Sequence, residues 1–362
     1  MSRTFKRKIK RILVKIGSGI VASYRMKSQE IILKSLVDQM SALSKDGVEV
    51  IVVSSGAIVL GMSELGLKKR PKDLATLQAC AATGQALLMR MYCDLFGRHS
   101  IKCAQVLLTW DDFSNRDRFN NAQHTLQSIL SFGVIPIINE NDTISTDEIK
   151  FGDNDKLSAL VASLVEGDLL VMLSDVEGLY TMKDEKKEIF KEIKEVTEEI
   201  RAVAFDTSKK DISKGGMIAK LDAVKIASHA NVPCIITSGE IRDVLLRIFK
   251  GEQIGTFFVE KGEKLLSRKH WISFGARPKG TIVVDSGAKE AILKGGRSLL
   301  LPGIVSWDGQ FRVDDVVVII DEQGQEIARG LTNYSTLDLH KTVEKKGKQE
   351  VIHCDNLVLC ER

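Results

Sequence analysis

Residues 134–155, VIPIINENDTISTDEIKFGDND, place two clusters of acids and amides about ten positions apart. Asn139, Glu140, Asn141 and Asp142 follow the apolar run 134–138, whose β-branched content marks a buried parallel strand. Gly152, Asp153, Asn154 and Asp155 precede Leu157, Leu160, Val161 and Leu164, which fall on one helical stripe. Acids at the carboxyl end of such a strand, and at a helix N-terminus with unpaired N–H groups, stand where an open α/β sheet binds ligands. Either cluster alone reads as capping or turn chemistry, since Asp and Asn are favoured there. Two clusters flanking one short connection point instead to an active centre.

Four further turns set Gly or Ser at a strand end or helix start: KIGSG (15–19), VSSGA (53–57), LSDVEG (173–178) and SKGGMIAK (213–220). Glycine lets the backbone approach a phosphate closely, the unpaired N–H groups favour anions, and Lys15 and Lys220 supply charge beside two of the turns. None matches GxxxxGK[ST] or GxGxxG, so the inference of phosphate binding rests on the set. The six histidines are scattered without the spacing of a nucleophile and its base.

These residues require an alternating frame to hold them. Apolar runs at 11–16, 48–53, 103–108, 134–138, 168–173 and 232–236 read as strands. Helical stretches separate them, among them 77–95, whose Ala79, Ala81, Ala82 and Gly84 permit close packing within the chain or between subunits. Residues 183–201 are highly charged and read as a solvated excursion, and 261–279 read as a linker. Beyond it the texture turns to β: strands at 281–284, 316–320 and 351–359, Gly turns, and one helix at 287–294. The expected fold class is α/β, a mostly parallel sheet sandwiched by helices over residues 1–260, with a small mainly-β module over 280–358.

Composition excludes several classes. The 362 residues are 44% hydrophobic, enough for at least one large core, and carry a net charge of +4. Residues 278–362 hold 11 Lys plus Arg against 13 Asp plus Glu, which opposes RNA binding by the tail. Six cysteines without CxxC or close His spacing suggest neither zinc nor disulfides, but reduced, mostly buried thiols of a cytoplasmic protein. The basic start lacks the apolar run of a signal peptide, and no membrane span fits.

The set KIGSG, VSSGA, INEND, GDND, LSDVEGLYT and GGMIAK, in this order, resembles the amino-acid kinase family over about 10–260. The tail, with SGAKEAI, LLLPGIV and IARGLTNYS, is similar to a PUA domain. INEND followed by GDND, joined to such a tail, resembles the family members that transfer the ATP γ-phosphoryl group to the side-chain carboxylate of free L-glutamate, the first step of proline synthesis. The resemblance implies ATP with Mg2+, no dedicated protein cage for the metal, proline as an inhibitor, and a homo-oligomer. It assigns Ser55, Asp142 and Asn154 to glutamate, with Asp153 near the substrate amine. Ser174, Asp175 and the turn Gly215, Gly216, Met217 and Lys220 go to the nucleotide, with Lys15. Lys15 and Lys220 would neutralise developing charge, held in place by Asp155. Lys214 stands where relatives often carry Thr, and Ser174 replaces a frequent Thr. A free α-ammonium group needs carboxylate partners, which Asp142 and Asp153 supply, so an acetylglutamate kinase is disfavoured. The alternatives are an aspartokinase, whose usual α/β regulatory tail is missing here, and an RNA-binding PUA protein.

Overall fold

The computed structural model describes residues 3–22, 30–144, 153–183, 186–210, 216–262, 269, 271–342 and 349–360. The chain divides into two compact units, Met1–Asp112 with Asp117–Lys264, and Phe113–Arg116 with Leu265–Arg362.

The first unit, apart from residues 113–116 in α5 and at the start of α6, runs β1 (Arg11–Ile16), α1 (Ser18–Ala22), α2 (Glu30–Lys45), β2 (Glu49–Ser54), α3 (Ala57–Glu64), α4 (Leu74–Gly97), β3 (Cys103–Leu108), α5 (Trp110–Ser114) and α6 (Arg116–Ser131). It continues through β4 (Ile135–Glu140), α7 (Asp153–Leu164), β5 (Leu169–Ser174), β6 (Tyr180–Lys183), β7 (Lys186–Ile189) and β8 (Glu192–Ile193). α8 (Glu198–Lys210), α9 (Gly216–His229), β9 (Cys234–Ser238), α10 (Val244–Phe249) and β10 (Thr256–Phe258) complete it. An eight-stranded sheet runs in the order β3-β4-β2-β1-β5-β9-β10-β8. Its pairs are parallel except β9 with β10. The first strands build outward on the β2 side of β1, and β5 then returns to its other side. The winding therefore reverses between β1 and β5, which opens a crevice at their carboxyl ends. Both are apolar because helices cover both sheet faces: Ile12 to Val14 and all of β5 except Ser174 are inaccessible to solvent.

The described part of 183–201 is mostly exposed, as its charge leads one to expect, but it carries strands that the sequence did not show. β6 and β7 form an antiparallel hairpin, and β8 joins the main sheet beside β10, burying Ile193. An edge strand needs one inward residue, and a single Ile among charges leaves no periodic signal. β10 itself escaped sequence reading for the same reason of shortness.

Of the small residues of α4, Ala81 and Gly84 are buried in contact within the chain, while Ala79 and Ala82 are exposed. A Cβ on Gly84 would lie 1.7 Å from the Ala57 carbonyl oxygen, and one on Gly61 1.8 Å from that of Cys80. α3 and α4 thus cross backbone to backbone, which brings the middle of α4 against the turn after β2. Gly84→Ala is expected to cost about 1–3 kcal/mol or more by overpacking, read as a lower midpoint in urea. An unchanged midpoint would mean that the helices can separate freely.

In the second unit a five-stranded sheet runs β13 (Ile304–Gly309), β11 (Gly280–Val284), β14 (Val316–Asp321), β15 (Glu326–Leu331) and β17 (Leu357–Leu359) in spatial order. Ile282, Val284, Val317, Ile319 and Val351 belong to its core. Within the stretch read as a linker, Trp271–Gly275 is a π-helical turn with Trp271 and Ile272 buried. Residues 351–359 are two strands rather than one. β16 (Glu350–Ile352) pairs with β12 (Leu299–Leu300), a turn at Cys354–Asn356 redirects the chain, and β17 pairs with β15. The helix Ser286–Gly295 is joined by a second, Thr336–Thr342. Its signature was in the sequence: Ser335 and Asp338 exchange backbone-to-side-chain hydrogen bonds at 3.2 and 3.1 Å, a capping box with Asp in the acidic place. The six cysteines are free, but only Cys80 and Cys234 are buried. Among the described residues no helix is long and apolar enough to cross a membrane.

Candidate active site

Lys15 lies one residue before the end of β1, Asp155 in the first turn of α7, and Lys220 one turn into α9. The fold brings them together. Lys15 Nζ is 2.6 Å from Asp155 Oδ1, and Lys220 Nζ is 3.2 Å from Asp155 Oδ2. The exposures of Lys15, Asp155 and Lys220 are 5%, 1% and 9%. Burial alone would push the Asp155 carboxyl up, but the two ammonium groups overcome it and hold the acid below its ordinary value. Burial lowers Lys15, opposed by Asp155 and reinforced by the repulsion of Lys220. One carboxylate between two buried cations leaves an excess positive charge at the crevice. Such an arrangement costs desolvation that stability alone does not explain, and it suits a site built to receive an anion.

A chain of neutral groups runs along the other side of α7. Asn154 Nδ2 donates to Ser55 Oγ and to Asn139 Oδ1, each at 2.9 Å. Asn139 Nδ2 donates to Gln85 Oε1 at 2.9 Å. Ser55 is pinned to the end of β1 by its N–H, which donates to the Ile16 carbonyl at 3.1 Å. Beside it, the buried Tyr92 hydroxyl donates to Ser54 Oγ at 2.9 Å. The turn here needs glycine: Gly56 has φ 110°, and a Cβ on it would meet the Val21 side chain at 2.7 Å. Asn154 and Asp155, adjacent in sequence, therefore serve two sides of one crevice, the first toward the Ser55 turn and the second toward the lysines. Asp142 lies half-buried in the turn after β4. Asp153 opens α7, and its side chain lies outside the described residues.

On the β5 side, Ser174 ends its strand nearly buried, its Oγ accepting from the Val176 N–H at 3.3 Å. Asp175 is exposed, and its charge is one of those that favour the charged form of Lys15. The Gly17 N–H donates to the Leu173 carbonyl at 3.2 Å, tying the KIGSG turn to the end of β5. Gly216 and Met217 open α9, whose first N–H groups have no partner within the helix; Lys214 and Gly215 lie outside the described residues. Tyr180 is buried in the β6–β7 hairpin with Lys187 Nζ 4.3 Å above its ring.

Sequence reasoning missed Gln85 and assigned Asn139 no role of its own. A signal existed for Gln85: it occupies a position that the 3.6-residue period of Leu77, Ala81, Leu88 and Tyr92 assigns to the buried face. A polar residue there requires partners.

Residues 10–238 match the amino acid kinase family, and residues 280–354 match the PUA domain. The chain belongs to the amino acid kinase family and carries a C-terminal PUA domain; it is a kinase. Its nearly full-length relatives are named glutamate 5-kinase. One from Citrifermentans bemidjiense is 43% identical over 99% of this chain and 100% of its own length. One from Caldanaerobacter subterraneus is 45% identical over 97% of this chain and 98% of its own. Among solved structures, a carbamate kinase from Giardia lamblia bound to AMP-PNP covers 70% of this chain and 99% of its own, with 17% identity and a TM-score of 0.48.

Proposed function

We propose that this protein transfers the γ-phosphoryl group of ATP to the side-chain carboxylate of L-glutamate, giving L-glutamyl 5-phosphate. The observation that carries the reading is Asp155 bridging two buried lysines at the switch point of the sheet, one α7 residue from the Ser55–Asn154 contact. A carboxylate is ionised at neutral pH and needs no general base, so the protein's task is to align two anions and offset the charge that grows between them. Lys15 and Lys220 offset it, and Asp155 holds both ammonium groups where the transferring group passes. Ser174, Asp175, Lys214, Gly215, and Gly216 and Met217 at the start of α9 hold the nucleotide. Ser55, Asp142, Asp153 and Asn154 hold the amino acid, the two acids matching its ammonium group.

The residues fit a nucleotide brought as its magnesium complex. The excess positive charge of Lys15 and Lys220 over Asp155 suits a polyphosphate, and Asp155, already engaged by both lysines, is not left to ligate a metal. Magnesium would screen the polyphosphate when bound. Residues 1–260 form the catalytic part on this reading, 261–279 a linker and 280–358 a module that acts on regulation or assembly. Proline, which shares the α-carboxylate and an ammonium group with glutamate but lacks the reactive carboxylate, inhibits, and the enzyme works as a homo-oligomer in the cytoplasm without RNA.

The test is ADP release with glutamate, aspartate, acetylglutamate and UMP as acceptors. Glutamate is expected to be preferred, and equal or better turnover of another acceptor would overturn the assignment. Asp142→Ala should raise KM for glutamate by about tenfold or more with little change for ATP, as loss of a charge-assisted contact would. Equal shifts in both constants would remove Asp142 from the amino-acid side.

A further inference from the structure

The chain of amides from Ser55 to Gln85 has a defined polarity, and one backbone group sets it. The Glu140 N–H, which can only donate, lies 2.9 Å from one side-chain atom of Asn139; that atom must be Oδ1. The other Asn139 atom is then Nδ2, a donor, and the Gln85 atom 2.9 Å away must be Oε1. Since Asn139 Oδ1 accepts, the Asn154 atom at 2.9 Å from it must be Nδ2, which also reaches Ser55 Oγ. Both N–H bonds of Asn154 are therefore spent on the protein. Its Oδ1, buried and without a hydrogen-bond partner among the described residues, can offer a ligand only an acceptor. Ser55 Oγ, already accepting from Asn154, is left to donate its O–H.

We propose that Gln85 is a positioning residue for the amino-acid substrate: by accepting from Asn139 it locks the amide of Asn154 so that Oδ1 faces the α-ammonium group while Ser55 donates to a carboxylate. The inference rests on the reading of the site as one for a free amino acid. It follows from the accounting of donors and acceptors in a nearly closed interior, where Gln85 is 8% exposed and Asn139 2%. Without an acceptor at position 85, Asn139 Nδ2 is left unsatisfied, and rotating the amide is no remedy, since it would turn that donor onto the Glu140 N–H and the Asn154 amide. The Asn139 side chain must instead shift to find another acceptor, and its hold on the Asn154 amide loosens. The glycine contact of α3 with α4 gives Gln85 its place, since it sits one residue after Gly84.

The test compares Gln85→Met, which keeps the length of the side chain and removes the acceptor, with Gln85→Glu, which returns an acceptor to Asn139. Steady-state constants for glutamate and for ATP, and thermal melting, are measured on full-length protein. Gln85→Met is expected to raise KM for glutamate about tenfold or more while KM for ATP stays within about twofold. Gln85→Glu is expected to recover most of that loss. Parallel shifts in both constants, a lower melting temperature with an unchanged KM for glutamate, or a Gln85→Glu variant as impaired as Gln85→Met would each overturn the role. Wild-type protein that fails to turn over glutamate would instead sink the reading of the site beneath it, so the two failures are distinct.

Discussion

Lys15→Ala and Lys220→Ala are each expected to lower kcat by about a hundredfold or more, roughly 3 kcal/mol of lost transition-state stabilisation. The lysines approach one carboxylate from different elements, a strand end and a helix turn, at 2.6 and 3.2 Å. Each thus keeps its position when the other is removed. The excess of one positive charge disappears in either variant, leaving a neutral pair where growing negative charge must be met. With Lys15 or Lys220 gone, Asp155 also loses one of the two charges that hold its carboxyl down, so its acid limb should move to higher pH. Single-turnover phosphoryl transfer at saturating glutamate separates this from weaker binding. Turnover within a few-fold of wild type in both variants would remove the lysines from the mechanism.

Asp155→Asn is expected to be the most damaging single change to stability, about 3–5 kcal/mol, because it keeps shape while leaving two buried ammonium groups without a counter-charge. The sign of its pH dependence follows from the shifts. The folded-state value of Asp155 lies below the ordinary 3.8, so its contribution to wild-type stability is full above 3.8 and is lost as pH falls through the lowered value. Lys15 is also lowered, from 10.5, so its charged form is disfavoured in the folded protein and is relieved as pH rises toward 10.5. In the variant, Lys15 loses the attraction of Asp155 and falls further. The stability gap between wild type and variant should therefore be widest near neutral pH and narrow on both sides, at low pH because wild type loses its carboxylate, at high pH because the variant sheds its cation. Urea unfolding at a series of pH values reads it; a gap independent of pH would show that Asp155 acts through packing rather than charge.

Long and periodic elements were legible in the sequence. β1, β2, β4, β5 and β9 are continuous apolar runs because helices cover both of their faces, and their ends carry the small and acidic residues of the site. The clusters around Asp142 and Asp155 stood out because polar residues directly follow such runs. Short elements were not legible: β8 and β10 are two and three residues long, and their places are set by neighbours rather than by a pattern of their own.

The kinds of chemistry available were determined by sequence: two lysines beside glycine turns, acids at a strand end and a helix start, and no nucleophile with a base. Which of these groups act on one another was decided only by the tertiary structure. Lys15, Asp155 and Lys220 span more than 200 positions of chain and meet because the sheet reverses its winding between β1 and β5. Gln85 acquires a role because Gly61 and Gly84 let two helices touch. The direction of the amide relay depends on a single backbone N–H at Glu140, and side-chain types alone leave that direction open, since an amide presents a donor and an acceptor of nearly equal size.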